Sequence, residues 1–172
     1  MASHIITPLN KLHNRVEFCS LSDELNHYLK KQISQEIRRK VAAAFVLTEK
    51  DSLLVKGFYT LSASSILLND LPESMQKKLP KYPSLPATLL GRLAVDGRYS
   101  GQGLGRTLLI DALYRSWQQS GNIASMAVVV DAIDENAVNF YKKYHFIQFQ
   151  NSPSKLFITM KEIESLVKDI GL

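Results

Sequence analysis

The sequence predicts an α/β or α+β fold built on a mixed sheet, and three observations predict it. Its 172 residues are 45% hydrophobic and 22% charged, the balance of a globular domain rather than a disordered or fibrous chain. Short β-type runs alternate with segments of helical period. A glycine-rich turn beyond mid-chain joins a strand to a helix. At this length one domain, residues 1–172, is the expectation.

The elements follow in order. Ile5-Ile6-Thr7 is a short strand ending at Pro8. Ser22-Asp23-Glu24 opens a helix, with Leu25, Tyr28, Leu29 and Ile33 on one face, running with a break to Lys40. Ala42 to Thr48 is a buried strand and Leu53 to Leu68 a longer one, joined by a hairpin turn at Glu49-Lys50-Asp51-Ser52. Leu71-Pro72-Glu73-Ser74 starts a short helix inside the proline-containing connection Pro72 to Pro86. Ala87 to Asp96 is a strand with Leu89, Leu93 and Val95 on one face. Leu104, Leu108, Leu109, Ala112, Leu113 and Trp117 mark a helix. Met126 to Val130 is another short strand. Asp134 caps a helix that gathers Ala137, Phe140, Tyr141 and Tyr144 on one face. Phe146 to Phe149 and Leu156 to Met160 are the last strands, and Glu162 to Ile170 a terminal helix.

The net charge of +5 favours an anionic partner without choosing between nucleic acid, a phosphorylated cofactor and an acidic protein. The longest apolar run, Val41 to Leu47, is far short of the roughly 20 residues a membrane span requires. The first residues lack both a basic region and a long apolar stretch, so a cytoplasmic protein with no membrane partner is expected. The single cysteine, Cys19, excludes an internal disulfide and is expected to be buried. His4, His13, His27 and His145 lack the spacing of metal ligands, so no metal is expected. No G-x-S-x-G nucleophile elbow occurs.

The segment from Leu93 to Thr107 carries glycine at 101, 103 and 105, with Arg98 and Arg106 beside them. Glycine removes the Cβ atoms that would fence off the backbone, so several N–H groups can converge where a helix presents its unpaired donors. Such a turn cradles phosphate. No Gly-Lys-Ser/Thr follows, which excludes a P-loop. A dinucleotide fold competes, because Asp131 ends the next strand. Against it stand the spacing G-x-G-x-G and the hairpin-like strands upstream.

Arg98-x-x-Gly101-x-Gly103 resembles the (Arg/Gln)-x-x-Gly-x-(Gly/Ala) signature of the GNAT N-acetyltransferase superfamily. Asp134-Glu-Asn-Ala137-Val-Asn-Phe140-Tyr141-Lys-Lys-Tyr-His-Phe146 is similar to the family's N-x-x-A-x-x-F-Y-x-x-x-G-F, with Asp134 in place of asparagine and His145 in place of glycine. The resemblance implies a GNAT fold, a mixed sheet whose central strand is splayed. It implies acetyl-CoA as cofactor, with its pyrophosphate at Arg98, Gly101, Gln102, Gly103, Leu104, Gly105 and Arg106. Leu93, Ala94 and Val95 are then the backbone that meets the pantetheine arm, and Asn136 and Phe140 complete the cofactor site.

A narrower likeness covers most of the chain. Phe18-Cys19, Leu25, Leu29, Gln35-Glu-Ile-Arg38-Arg39, Leu79-Pro-Lys-Tyr-Pro-Ser-Leu-Pro86 and Leu90-Gly-Arg-Leu-Ala-Val-Asp96 resemble the tRNA-acetylating GNAT toxins of bacterial type II toxin–antitoxin pairs. Those enzymes acetylate the amino group of aminoacyl-tRNA and so block translation. Their partner is a ribbon–helix–helix antitoxin, and they are commonly homodimers. Cys19-Ser20 stands where Cys-Gly is usual.

Acetyl transfer to an amine needs a neutral nucleophile, a polarised thioester carbonyl, a proton for the leaving thiolate, and placement. The resemblance gives the proton to Tyr141; packed in the core, Tyr141 is instead structural, and Tyr144 is its rival. No carboxylate interrupts Leu89 to Val95 to serve as general base. That favours an aminoacyl ester, whose amine is less basic than lysine near 10.4. Lys30, Lys31, Arg38, Arg39 and Lys40 are opposed only by Glu36, and Lys77, Lys78 and Arg92 add charge elsewhere. Arg38, Arg39, Lys40, Lys77, Lys78 and Arg92 are the candidate tRNA contacts, unless they form a merely solvated face. Two other readings remain: acetylation of a peptide or small amine, and a non-catalytic acyl-CoA-binding module.

Overall fold

The computed structural model describes residues 3–172. Seven strands pair in the order β1-β2-β3-β4-β5-β7-β6. They are β1 (His4–Pro8), β2 (Ala43–Glu49), β3 (Gly57–Leu67), β4 (Ser84–Val95), β5 (Ala127–Asp131), β6 (Ile147–Phe149) and β7 (Ser152–Thr159). The helices are α1 (Asp23–His27), α2 (Ile33–Arg38), α3 (Glu73–Gln76), α4 (Leu104–Gln119), α5 (Glu135–Lys143) and α6 (Met160–Asp169). The sheet is mixed, as expected: β1–β2, β2–β3, β5–β7 and β6–β7 are antiparallel and β4–β5 is parallel. The parallel pairing of β4 with β5 covers only Thr88 to Leu90, although β4 runs on to Val95.

The chain forms two compact units. One comprises the chain through Ser62 with Gly91–Ala112, the other Ala63–Leu90 with Leu113–Leu172. The core of the first gathers Phe18, Tyr28, Leu29, Ile33, Val46, Val55, Phe58 and Ala94. Phe58 meets Phe18 edge-on at 5.6 Å and stacks with Tyr28 at 6.2 Å. The core of the second holds Ile66, Leu68, Leu71, Leu85, Ala87, Ala127, Val129, Phe149 and Phe157. Leu85 belongs to the proline-containing connection, and Met75 and Leu79 of the same segment pack against this core, so the connection is held by packing rather than merely spanning distance.

Several boundaries depart from the sequence expectation, each for a non-local reason. β3 begins at Gly57, not Leu53, because the Asn14 backbone captures the preceding segment: Asn14 N–H donates to Leu53 O (2.7 Å) and Val55 N–H to Asn14 O (3.0 Å). The break in the first helix is a π-helical turn, Tyr28–Gln32, between α1 and α2. β7 begins at Ser152, with Pro153 in the irregular stretch beyond its pairing with β5. On β4 the buried positions shift from Leu85 and Ala87 to Leu90 and Ala94, so the expected face of Leu89, Leu93 and Val95 is the less buried one. Cys19 is exposed, not buried. Its backbone is bound to the turn after β4, which leaves its side chain outside.

Candidate active site

β4 delivers the chain to its turn through Asp96, which is fully buried. One carboxylate oxygen accepts the Arg98 backbone N–H at 2.9 Å and the Arg98 Nε at 3.0 Å. The other accepts Arg98 Nη2 at 2.8 Å and the Cys19 N–H at 3.1 Å. The Arg98 guanidinium holds the Asp96 carboxyl below the usual carboxylate range, and Arg98 is itself raised above its ordinary value by Asp96. Asp96 N–H donates to Lys56 O (2.8 Å), Gly97 N–H to Cys19 O (2.9 Å) and Arg98 Nη2 to Glu17 O (3.2 Å). The turn is thus tied to residues 17–19 and to the start of β3.

A short 3₁₀ segment, Gly97–Tyr99, follows, its Tyr99 ring lying 4.2 Å from the Lys56 ammonium. Lys56 is buried and paired with Glu49. Gly101 and Gly103 then take φ of 78° and 76°. Open space surrounds the position a Cβ would occupy at either residue, so backbone conformation, and not crowding, calls for glycine there. Leu104 is buried and anchors the start of α4, whose Thr107 N–H returns to Gly103 O at 3.1 Å. Among the described residues, the N–H groups from Gly101 to Arg106 donate to no backbone carbonyl or side chain. Gln102 and Arg106 are exposed beside them. A run of unpaired amides at the positive end of a sixteen-residue helix suits a diphosphate.

Leu93, Ala94 and Val95 lie on β4 just before this turn, in the same unit. Close approach is required upstream: a Cβ on Gly57 would sit 2.8 Å from Leu108 Cδ1 and 3.1 Å from Ala94 O. Thr60 Oγ1 accepts the Arg92 N–H at 3.1 Å. The Arg92 guanidinium lies 4.0 Å from the Tyr28 ring centroid. The buried Tyr28 hydroxyl closes no hydrogen bond among the described residues, and burial, with Glu36 nearby, pushes its pKa up to about 12.

Asn136, Phe140 and Tyr141 lie on α5 in the other unit. Asp134 Oδ1 caps that helix through the Ala137 N–H at 2.8 Å. Tyr141 is buried, its ring against Phe140 (5.3 Å) and Phe146 (5.2 Å). Burial pushes its pKa well up, and its hydroxyl has no protein hydrogen-bond partner among the described residues. Tyr144, the rival, is less buried and meets Phe140 at 5.2 Å. His145 adopts φ 72°, the left-handed conformation that explains why the family pattern carries glycine here.

The candidate tRNA contacts divide between the units: Arg38, Arg39, Lys40 and Arg92 belong to the first, Lys77 and Lys78 to the second. Arg38, Arg39 and Lys40 close α2, Lys77 and Lys78 follow α3, and Arg92 is engaged by Tyr28. Sequence reasoning missed Asp96. The signal was available, since an aspartate can accept the backbone N–H two residues onward.

The acetyltransferase (GNAT) domain family matches residues 42–148. A curated "tRNA-acetylating toxin" of Mycobacterium tuberculosis is 34% identical over 88% of this chain and 89% of its own. A "probable toxin TacT" of Sinorhizobium fredii is 30% identical over 96% of each. Among solved structures, a tyrosine-to-phenylalanine mutant of KacT matches with a TM-score of 0.90, 30% identity, and 95% and 99% coverage of the two chains. AtaT complexed with acetyl-methionyl-tRNAfMet matches with a TM-score of 0.89, 32% identity, and 95% and 99% coverage. An AtaT mutant bound to acetyl-CoA and the C-terminus of the antitoxin AtaR matches with a TM-score of 0.81, 27% identity, and 96% and 99% coverage. With a family match across more than half of its length, joined to full-length relatives, this chain belongs to the GNAT acetyltransferase family.

Proposed function

We propose that this protein is an acetyl-CoA-dependent N-acetyltransferase acting on the amino group of aminoacyl-tRNA, a toxin that blocks translation. One observation carries it: the unpaired amide turn at 101–106 lies in a chain matching, over 95% of its length, a toxin complexed with acetyl-methionyl-tRNA. We take residues 1–172 to work as one GNAT domain.

The residues present fit the cofactor. The amides of Gly101 to Arg106 lack acceptors, and open space lies above Gly101 and Gly103, so a diphosphate meets donors without displacing protein hydrogen bonds. Acetyl-CoA, when bound, supplies the activated acetyl thioester. Arg98 is committed to Asp96, so the phosphate contact falls mainly to backbone amides and to the exposed Arg106. The backbone of Leu93, Ala94 and Val95 would orient the pantetheine arm, and Asn136 and Phe140 are assigned to the cofactor as well. Tyr141, kept protonated by burial, would hold a proton on its phenol oxygen for the leaving thiolate, and the proton lost by the attacking amine would restore the phenol. Two of the structural neighbours carry a tyrosine replaced by phenylalanine, which supports a tyrosine in the proton-donor role.

No helix among the described residues is long and apolar enough to cross a membrane. We place the protein in the cytoplasm, with charged tRNA, and assign it a ribbon–helix–helix antitoxin partner and a homodimeric state. The experiment is incubation with radiolabelled acetyl-CoA and separately charged tRNA, peptides and polyamines. Label on the aminoacyl ester supports the proposal; label on peptide or polyamine alone overturns the substrate, and label on none overturns the enzyme.

A further inference from the structure

A socket of about 310 Å³ opens in the first unit, away from the amide turn in sequence. Its apolar floor is Leu9 and Ile37, both packed against the core. Lys11, Arg15 and Arg38 line it, and no carboxylate does. Arg15 is held in place, because its Nη1 donates to Leu29 O (3.0 Å) and to Ser34 Oγ (3.1 Å). Among the described residues, its Nε and Nη2 donors have no protein acceptor. Among the described residues, none of the three cations is paired with a carboxylate.

We propose that this socket seats one sugar–phosphate unit of the tRNA backbone, a contact that rests on the aminoacyl-tRNA reading above. A nucleotide backbone offers an apolar ribose face beside each negative charge, and the socket offers the complement: aliphatic side chains ringed by cations. The pre-set Arg15 fork matches a phosphate in geometry as well as charge. The charge also continues outward. Lys30, Lys31, Arg39 and Lys40 are exposed between positions 30 and 40, a stretch whose one carboxylate is Glu36. A field of that extent fits a polyanion of repeating charge better than a peptide with a few carboxylates. Lys11 and Arg15 thereby join the candidate tRNA contacts, and Arg38 gains a defined place among them.

The test is the double substitution Lys11→Ala with Arg38→Ala, both exposed positions, beside Lys50→Ala with Lys161→Ala as a charge-matched control. Binding of whole uncharged tRNA is measured across a salt series, and acetylation of charged tRNA at fixed salt. The socket variant should flatten the salt slope by about 1.5, raise KM for charged tRNA roughly tenfold and leave kcat and acetyl-CoA affinity unchanged. The control should match wild type. Salt slope and KM both equal to wild type in the socket variant overturn the proposal. So does loss of antitoxin binding with tRNA binding intact, which gives the socket to an acidic peptide instead. Failure of the unsubstituted protein to acetylate any charged tRNA overturns the functional reading separately, since the uncharged-tRNA slope still decides the socket.

Discussion

Asp96 and Arg98 form a closed pair: two side-chain hydrogen bonds and one backbone hydrogen bond join residues two positions apart. The carboxylate is fully buried and its remaining acceptor capacity takes the Cys19 N–H. Asp96 is therefore a positioning residue, setting the path of the chain into the amide turn rather than meeting a ligand.

Asp96→Asn keeps the shape and removes the charge. It should weaken acetyl-CoA binding while leaving kcat at saturation nearly unchanged, and lower stability by about 2 kcal/mol through loss of charge-assisted hydrogen bonds. The sign with pH follows from the lowered Asp96 pKa. A depressed carboxylate stabilises the fold above its unfolded value near 3.9 and loses that contribution as pH falls through its folded value. Urea denaturation should thus show a constant gap between wild type and variant above about pH 5 that closes on acidification.

Gly101→Ala and Gly103→Ala meet no steric neighbour, so their cost is backbone strain alone, about 1–2 kcal/mol each. The fold should survive and acetyl-CoA affinity, measured by calorimetry, should fall. Asparagine at either position should be milder than valine, because asparagine tolerates the left-handed region.

Gly57→Ala is a different case. Its Cβ would meet Leu108 Cδ1 at 2.8 Å, so a destabilisation of roughly 1–3 kcal/mol is expected from overpacking. Adding Leu108→Ala should recover part of that loss despite its own cavity. Chemical denaturation of the two single variants and the double variant checks the coupling.

Tyr141→Phe should lower kcat on the order of a hundredfold and leave acetyl-CoA affinity unchanged. A second readout tests the burial that keeps the phenol protonated. Burial raises the Tyr141 pKa, so the neutral phenol is favoured in the folded state. Folded wild type should lose stability as pH rises above about 10, where the unfolded tyrosine ionises, and the phenylalanine variant should lose less.

Much of the site was legible because its signals are local. The glycine spacing at 101–105, the α4 periodicity and the Asp134 cap are each contained within a few residues, and the structure places a turn, a helix and a capping hydrogen bond there. What escaped was non-local. The Cys19–Asp96 hydrogen bond joins positions 77 residues apart, and no pattern in either segment announces it. The late start of β3 depends on Asn14, and the exposure of Cys19 on a backbone tie to Gly97. His145 reads as a departure from the family pattern, yet its positive φ shows that the departure preserves the backbone path.

The most direct measurement is a titration of ¹⁵N-labelled protein with acetyl-CoA and, in parallel, with acetyl-pantetheine, which lacks the diphosphate. The amide resonances of Gly101 to Arg106 should shift with acetyl-CoA and stay in place with acetyl-pantetheine. Unshifted amides at saturating acetyl-CoA, or equal shifts with both compounds, would contradict the assignment of that turn to the diphosphate.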